Sequence, residues 1–513
     1  MLVSRVNPES LPATLKIAIA LLAPIALACA FPKTNWWPFA FVAAAPMFWL
    51  WSRAPLLSAF WWGWLSGAIY FGITMDWVPN SLGDYIGAWK LLALVLMAAW
   101  QGFSFAAVAA LISLMSRRGF GAAAVFAAAA AWLLVDFVRT RGTMGVPFGS
   151  LGFVGAHLPW LLPLAAYAGV YGLTAIFALV NASVTGLLWG TDTGRRAGAC
   201  ALGVLVLLTV LGDAQRSHIV LPPAKLRVGI AQGNISQRVK WSPEIFAHTL
   251  ELYTSLTRKA AASRARVVVW PETVVTAYPL QEPWLLHDLQ QDAASTHVYI
   301  LAGTLDKLTP RGYHNAVLDL TPAGKLAGVY DKHILVPFAE YLPFDRVLRH
   351  LPLMDQASDF FPGPGPHLLS ASGMSAGLLV CYESGFAPYT RATANAGAST
   401  LIIVTDDAWW GDTAGPYQHF DMAVVDAVQT GRWVVRAAAT GISGIIDPSG
   451  RIVAQLPLDV AGSLVAPIGA PVETPYDRFG ALWLVLLAAA ALLIGLLPAR
   501  VRATGWRSAR GPA

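Results

Sequence analysis

Most of the Asp, Glu and His residues of this sequence gather between residues 226 and 474, while both flanks contain long windows nearly free of charge. The hydrocarbon layer of a bilayer is crossed by roughly 20 apolar residues in helical form, because backbone polar groups there find partners only within the segment. Windows of that kind fall near 14–31, 36–52, 57–78, 90–115, 120–138, 159–190 and 197–212, with a last one at 479–498. Hydrophobic residues make up 56% of the 513 and charged ones only 12%, giving a mean hydropathy of +0.55, beyond what a soluble core consumes. The pattern predicts a polytopic α-helical membrane bundle of eight spans carrying one α/β domain. Residues 1–220 hold seven spans, 221–474 the soluble domain, and 475–513 a closing helix and tail.

Seven spans before the domain and one after it put the domain across the membrane from both termini. Lys/Arg enrichment marks the cytoplasmic side. Arg5, Arg53, Arg117, Arg118, Arg195, Arg196 and the tail residues Arg500, Arg502, Arg507 and Arg510 all fall with the termini. Arg139 and Arg141, beside Asp136, are exceptions that suit a polar site at the membrane surface. A pI near 9.2 follows from arginines facing anionic lipid and calls for no nucleic-acid partner. The first span ends in Ala28-Cys29-Ala30, like a signal-peptide cleavage site, but with further spans following it is read as a retained anchor. Trp36-Trp37, Trp61-Trp62 and Trp160 suit interfacial belts.

Within the domain, extended runs alternate with helical periodicity. Strands are expected at 226–232, 265–272, 298–303, 314–320, 325–333, 377–381, 400–404, 432–438 and 441–447, and helices near 242–263, 283–295, 385–396 and 417–430. This is the alternation of a layered α/β domain with a mixed sheet. Residues 334–367, rich in Pro, Phe and Leu without a period, read as a lid or binding loop in contact with lipid.

Three predicted strands end on chemistry: Glu272, Lys332 and Cys381. A lone cysteine after an apolar run is by itself as well explained by core packing. Yet Cys29 and Cys200 lie in predicted spans, so Cys381 has no disulfide partner in its domain, and an unpaired thiol in an oxidising compartment needs a reason. Acyl transfer supplies one, since it takes a nucleophile, a base for its proton and positive charge for the oxyanion. The roles follow as Cys381, Glu272 and Lys332. No phosphate loop or metal-spaced cluster is evident, and His314, His333 and His419 are read as structural or hydrogen-bonding residues, so neither cofactor nor metal is expected.

WPET around Glu272, YDKHILVPFAEY around Lys332 and LLVCYES around Cys381 resemble the Glu-Lys-Cys motifs of the carbon–nitrogen hydrolase (nitrilase) superfamily. With the eight-span frame, AQGNISQ at 231–237 and the DAWWGD stretch, the whole chain resembles the apolipoprotein N-acyltransferase family of Gram-negative bacteria. The resemblance implies a nitrilase-like αββα sandwich in the periplasm, on a multi-pass frame in the inner membrane. It further implies a phospholipid acyl donor, phosphatidylethanolamine, a thioester intermediate, a diacylglyceryl apolipoprotein as acceptor, and a monomer. By the same resemblance Trp241, Glu340, Tyr382 and Glu383 surround the site. Asp406-Asp407, Trp410 and Ala339 depart from the family's usual Asn-Asp, Phe and Gly, which puts in doubt any role for an amide side chain at position 406. A membrane-anchored amidase and a transporter with a sensor domain are the competing readings. The apolar stretch 334–367 argues against the first and the scarcity of ionisable groups within spans against the second.

Overall fold

The computed structural model of the protein describes residues 12–117, 119–217, 221–309, 312–350 and 360–497. Arg5, Arg118, the tail arginines and part of the 334–367 stretch lie outside the described residues. Among the described residues, five helices are long and apolar enough to cross a membrane: Leu56–Thr74, Gly87–Met115, Ala122–Arg139, Leu162–Trp189 and Asp192–Ala214. Ala13–Ala28 and Leu482–Leu496 are shorter apolar helices. The window at 36–52 is not one helix but two short ones, Pro38–Val42 and Ala45–Arg53, each with a proline (Pro38, Pro46) in its first turn, where no helical N–H partner is needed. The buried Asn181 fills the break, donating to the Ala40 carbonyl at 2.7 Å and accepting from the Ala44 N–H at 2.9 Å. Helices Leu56–Thr74 and Lys90–Met115 pack through small residues: a Cβ on Gly63 would come within 2.5 Å of Ala109 Cβ.

Twelve strands are present among the described residues of the α/β domain. The first six are β1 Leu226–Gln232, β2 Val267–Val269, β3 Tyr299–Thr309, β4 Gly312–Leu320, β5 Leu326–Asp331 and β6 Leu368–Ala371. They are followed by β7 Met374–Val380, β8 Thr400–Thr405, β9 Trp433–Ala438, β10 Ser443–Ile446, β11 Ile452–Leu456 and β12 Gly462–Ile468. Two six-stranded sheets result, ordered β12-β1-β2-β3-β4-β5 and β11-β10-β9-β8-β7-β6. In each, three central strands run parallel (β1, β2 and β3; β7, β8 and β9), and the outer strands add antiparallel. Val228, Val267, Val317, Leu378, Ile402 and Val435 meet between the sheets in one apolar layer. Helices Pro243–Ala262 and Pro283–Thr296 cover the outer face of the first sheet. The outer face of the second is covered by Ala387–Asn395 and Gly415–Thr430, and the apolar cluster there continues without a break into the membrane helices.

The expected strand at 265–272 is shorter than its apolar run. Regular pairing stops at Val269, because Pro271 has no N–H to give and the chain folds back over Gly303, where a Cβ would lie 2.1 Å from the Pro271 carbonyl oxygen. The strands at 368–371, 452–456 and 462–468 have no counterpart among the sequence expectations. They are edge or near-edge strands with partly exposed faces, so their apolar runs are diluted.

Domain and bundle are joined at a broken membrane helix. Gly169 sits at φ 64° inside Ala165–Trp189, and the freed Val170 N–H donates to Gln429 Oε1 at 3.1 Å. A Cβ on Gly169 would stand 2.6 Å from that oxygen and 2.7 Å from the Tyr476 ring, at a backbone angle that disfavours side chains. Gly169→Ala is expected to lower the stability of the whole chain by about 2 kcal/mol or more, seen as a fall in melting temperature in detergent micelles. Inside the sandwich, Asp319 of β4 shares the inter-sheet face with Val317, is only 1% exposed and has an Oδ1 with no hydrogen-bond partner. Burial pushes its carboxyl up to about 6. The folded state therefore holds a proton that the unfolded chain releases, and stability falls as pH rises from about 4 to 6. Asp319→Asn is expected to raise stability by up to about 3 kcal/mol at pH 7 and to change nothing below pH ~3.5, as read from melts across pH.

Candidate active site

The carboxyl ends of β2, β5, β7 and β8 converge, as they must when parallel strands from two facing sheets stop at one edge. Glu272 lies three residues past β2 and is buried. Its Oε1 accepts from Asn315 Nδ2 at 2.7 Å and from Lys332 Nζ at 3.4 Å, and its Oε2 from the Asp406 backbone N–H at 2.8 Å. Both oxygens are thus fixed in direction by donors from three different strands.

Lys332 follows β5 directly, held there by its own N–H to the Asn315 carbonyl at 2.8 Å. Its ammonium donates to Glu340 Oε1 at 2.7 Å. Burial works against the charge, yet the Glu340 and Glu272 carboxylates more than compensate and hold the amine above the ordinary lysine value. Glu340 reaches in from the 334–367 segment, whose turn it also caps, its Oε2 accepting the Val336 N–H at 2.7 Å.

Cys381 is the first residue after β7 and adopts φ 52°, a left-handed conformation that non-glycine residues seldom hold without support. The support is visible. Glu383, fully buried two residues on, accepts the Val380 N–H at 2.6 Å and the Tyr330 hydroxyl at 2.8 Å on one oxygen. Its other oxygen accepts the N–H groups of His333 and Ile334 at 2.7 and 3.0 Å. One carboxylate therefore ties the Cys381 turn to the segment carrying Lys332. From below, His419 Nε2 lies 3.0 Å from the Cys381 carbonyl oxygen and 2.8 Å from Ser384 Oγ, with Nδ1 3.1 Å from Asp407 and Arg436 paired to that carboxylate at 2.5 Å. Burial, then the Glu272 charge, push the thiol well above the ordinary cysteine value, against the pull of Lys332 and a hydrogen bond with Thr405. At rest the group is a protonated thiol.

Glu272, Lys332, Cys381 and Glu340 come together in one cluster, and Glu383 stands beneath it as a strut. Tyr382 points away toward the membrane bundle, its hydroxyl donating to the Gly145 carbonyl at 2.7 Å and its ring edge-on to Phe386. Trp241 is half exposed, at 48%, and meets the site only through its neighbours on the short helix Gln237–Lys240. Its Nε1–H donates to the Gln237 side-chain oxygen at 2.8 Å when that amide is turned to satisfy both its neighbours. Sequence reasoning missed Asn315, Lys240 and Arg436, and it noted Asp407 only as part of the DAWWGD stretch and His419 only as a hydrogen-bonding residue. Nothing local in the sequence distinguishes Asn315, Lys240 or Arg436 from ordinary polar side chains. Arg139, one of the exceptions in the charge count, pairs with Asp136 at 2.7 Å and donates to the Val146 and Phe148 carbonyls at 2.6 and 3.0 Å. It thereby fixes the loop on which Tyr382 rests.

Glu383→Gln would turn an amide NH2 toward backbone N–H or hydroxyl donors in either orientation. A loss of about 1–3 kcal/mol in stability is expected, together with a change in the reactivity of the Cys381 thiol in whatever fraction folds. Thermal melts and thiol-alkylation rates of Cys381 measure the two effects separately.

Residues 227–474 match the carbon-nitrogen hydrolase family and residues 23–183 the apolipoprotein N-acyltransferase N-terminal domain. The apolipoprotein N-acyltransferase of Azotobacter vinelandii is 35% identical over 519 residues, covering 97% of this chain and 96% of that one. The enzyme of the same name from Caulobacter vibrioides is 34% identical, covering 94% of each chain. Among solved structures, an amidase from Nesterenkonia sp. aligns over 52% of this chain and 97% of its own, at 19% identity and a TM-score of 0.39. With relatives of that name matching at this identity from end to end, the chain belongs to the apolipoprotein N-acyltransferase family.

Proposed function

We propose that the protein moves an acyl chain from phosphatidylethanolamine, through a thioester on Cys381, to the N-terminal α-amine of diacylglyceryl-cysteine in an apolipoprotein. The observation that carries the reading is the meeting of Glu272, Lys332 and Glu340 in one ion cluster at the strand ends where β7 delivers Cys381. In the first half-reaction Glu272 takes the thiol proton as sulfur attacks the ester carbonyl, and Lys332 faces the oxyanion. Collapse breaks the ester bond, and the proton on Glu272 passes to the leaving glycerol oxygen, releasing a lysophospholipid. In the second, the neutral α-amine attacks the thioester, Glu272 accepts its proton, and collapse forms the amide and returns the proton to sulfur.

Lipid access is supported by the exposed apolar side chains of the segment that delivers Glu340: Phe344 is 74% and Val347 69% exposed. Under this proposal eight spans embed the protein in the bacterial inner membrane, with domain limits at 1–220, 221–474 and 475–513. The soluble domain then lies in the periplasm, and the protein works as a monomer. Incubation with acyl-labelled phosphatidylethanolamine is expected to leave a hydroxylamine-sensitive label on Cys381. Cys381→Ala should abolish both the adduct and lipoprotein N-acylation, and Glu272→Gln should slow adduct formation by about 10²–10⁴-fold. Persistence of acylation in Cys381→Ala, or hydrolysis of small amides with no lipid adduct, sinks the proposal.

A further inference from the structure

The Lys240–Asp406 ion pair lies outside the Glu272–Lys332–Cys381 set but touches Glu272 from two directions. Both side chains are buried, and they pair directly with each other. Lys240 Nζ also donates to the backbone carbonyl of Glu272 at 3.2 Å, while the Asp406 backbone N–H donates to Glu272 Oε2 at 2.8 Å. Asp406 is itself locked by the Ala408 N–H on Oδ1 at 3.2 Å and by Gln237 on Oδ2. We propose that Lys240 and Asp406 are a positioning pair for Glu272. The aspartate aims the carboxylate through its backbone N–H, and the lysine anchors the glutamate backbone while cancelling the aspartate's charge.

This rests on Glu272 acting as the base. The electrostatic part of the inference is a matter of counting charges around one carboxylate. Facing Glu272 are Asn315 from β4, Lys332 after β5, Glu340 from the 334–367 segment, Cys381 after β7, Asp406 after β8 and Lys240 from the helix before Pro243–Ala262. Behind Asp406 stand the Tyr253 hydroxyl, Asp407, His419 and Arg436. Lys332 is already engaged by Glu340 at 2.7 Å. An uncompensated Asp406 carboxylate would therefore place a second negative charge beside the base and favour its protonated, idle form. The pair removes that charge and keeps the N–H.

The experiment follows the pH dependence of Cys381 acylation in single turnover with labelled phosphatidylethanolamine. Lys240→Met is expected to shift the acidic limb to higher pH, giving a roughly 10-fold or larger loss near pH 6 that narrows as pH rises. Asp406→Asn, which leaves the cation alone beside Glu272, is expected to shift the limb to lower pH. The double variant is expected to restore the wild-type limb. If Lys240→Met does not fold, the opposite shift in Asp406→Asn and the unshifted limb of the double variant still decide. Equal losses at every pH in all three variants would reduce the pair to a structural role and overturn the inference. If wild type shows no acidic limb, or Glu272→Gln acylates at the wild-type rate, the base assignment has failed instead.

Discussion

The helix Gly415–Thr430 is the member on which both halves of the protein depend. All of its residues but Tyr417 are buried, although it carries Gln418, His419, Asp421, Asp426 and Gln429. Buried polar groups at such density are tolerated only if each is paired, and the pairs show what the helix does. Gln418 donates to the Thr74 carbonyl at 2.7 Å, Asp421 meets His157 at 2.8 Å, and Gln429 takes the Val170 N–H released by the Gly169 break. All three partners are on the membrane side. His419 turns the other way, to the carbonyl of Cys381. A helix with a single apolar stripe could have joined sheet to bundle by burial alone, but burial is not directional. The polar contacts fix the register, and through His419 they carry that register to the thiol.

The loop 406–414 makes a second connection of the same kind. At one end its Asp406 N–H holds Glu272. At the other, the Trp410 carbonyl accepts from Asn80, the Ala414 N–H donates to Asp76, and Asp412 pairs with Lys33 at 2.7 Å. The segment that orients the carboxylate is therefore clamped by residues of the membrane bundle. Tyr382 and Tyr341 repeat the arrangement, donating to Gly145 and Thr143 in the loop organised by Arg139. The site is built on strand ends, which are rigid, but its outer contacts are made to the bundle. That suits the proposed reaction, in which the acyl donor comes from the bilayer.

Much of this was legible in the sequence, and the limits have physical causes. Glu272, Lys332 and Cys381 could be read because an apolar strand ending in a reactive residue is a local pattern, and β5, β7 and β8 fell where their runs predicted. Asn315, Lys240 and Arg436 could not, since what distinguishes them is a partner 43, 166 or 29 residues away. The broken window at 36–52 was hidden for a similar reason: its interruption is stabilised by Asn181, on another helix. Lys240 also lies in a four-residue helix, too short for periodicity to signal.

The resting state of the cluster constrains the chemistry it can perform. With the thiol protonated, Lys332 faces two carboxylates, and the group of four carries one net negative charge in a poorly solvated place. Ionising Cys381 by loss of a proton to water would raise that to two, and each added buried charge costs several kcal/mol. Passing the proton from sulfur to Glu272 leaves the total unchanged, so the internal transfer is the inexpensive one. Under the proposed reaction the same constraint bears on the acceptor. An ammonium would bring its own positive charge and no lone pair, whereas a neutral amine could give its proton to Glu272 within the cluster. Conservation of charge in a buried site thus fits the proposal that one carboxylate serves both half-reactions, with Glu340 holding Lys332 in its charged form.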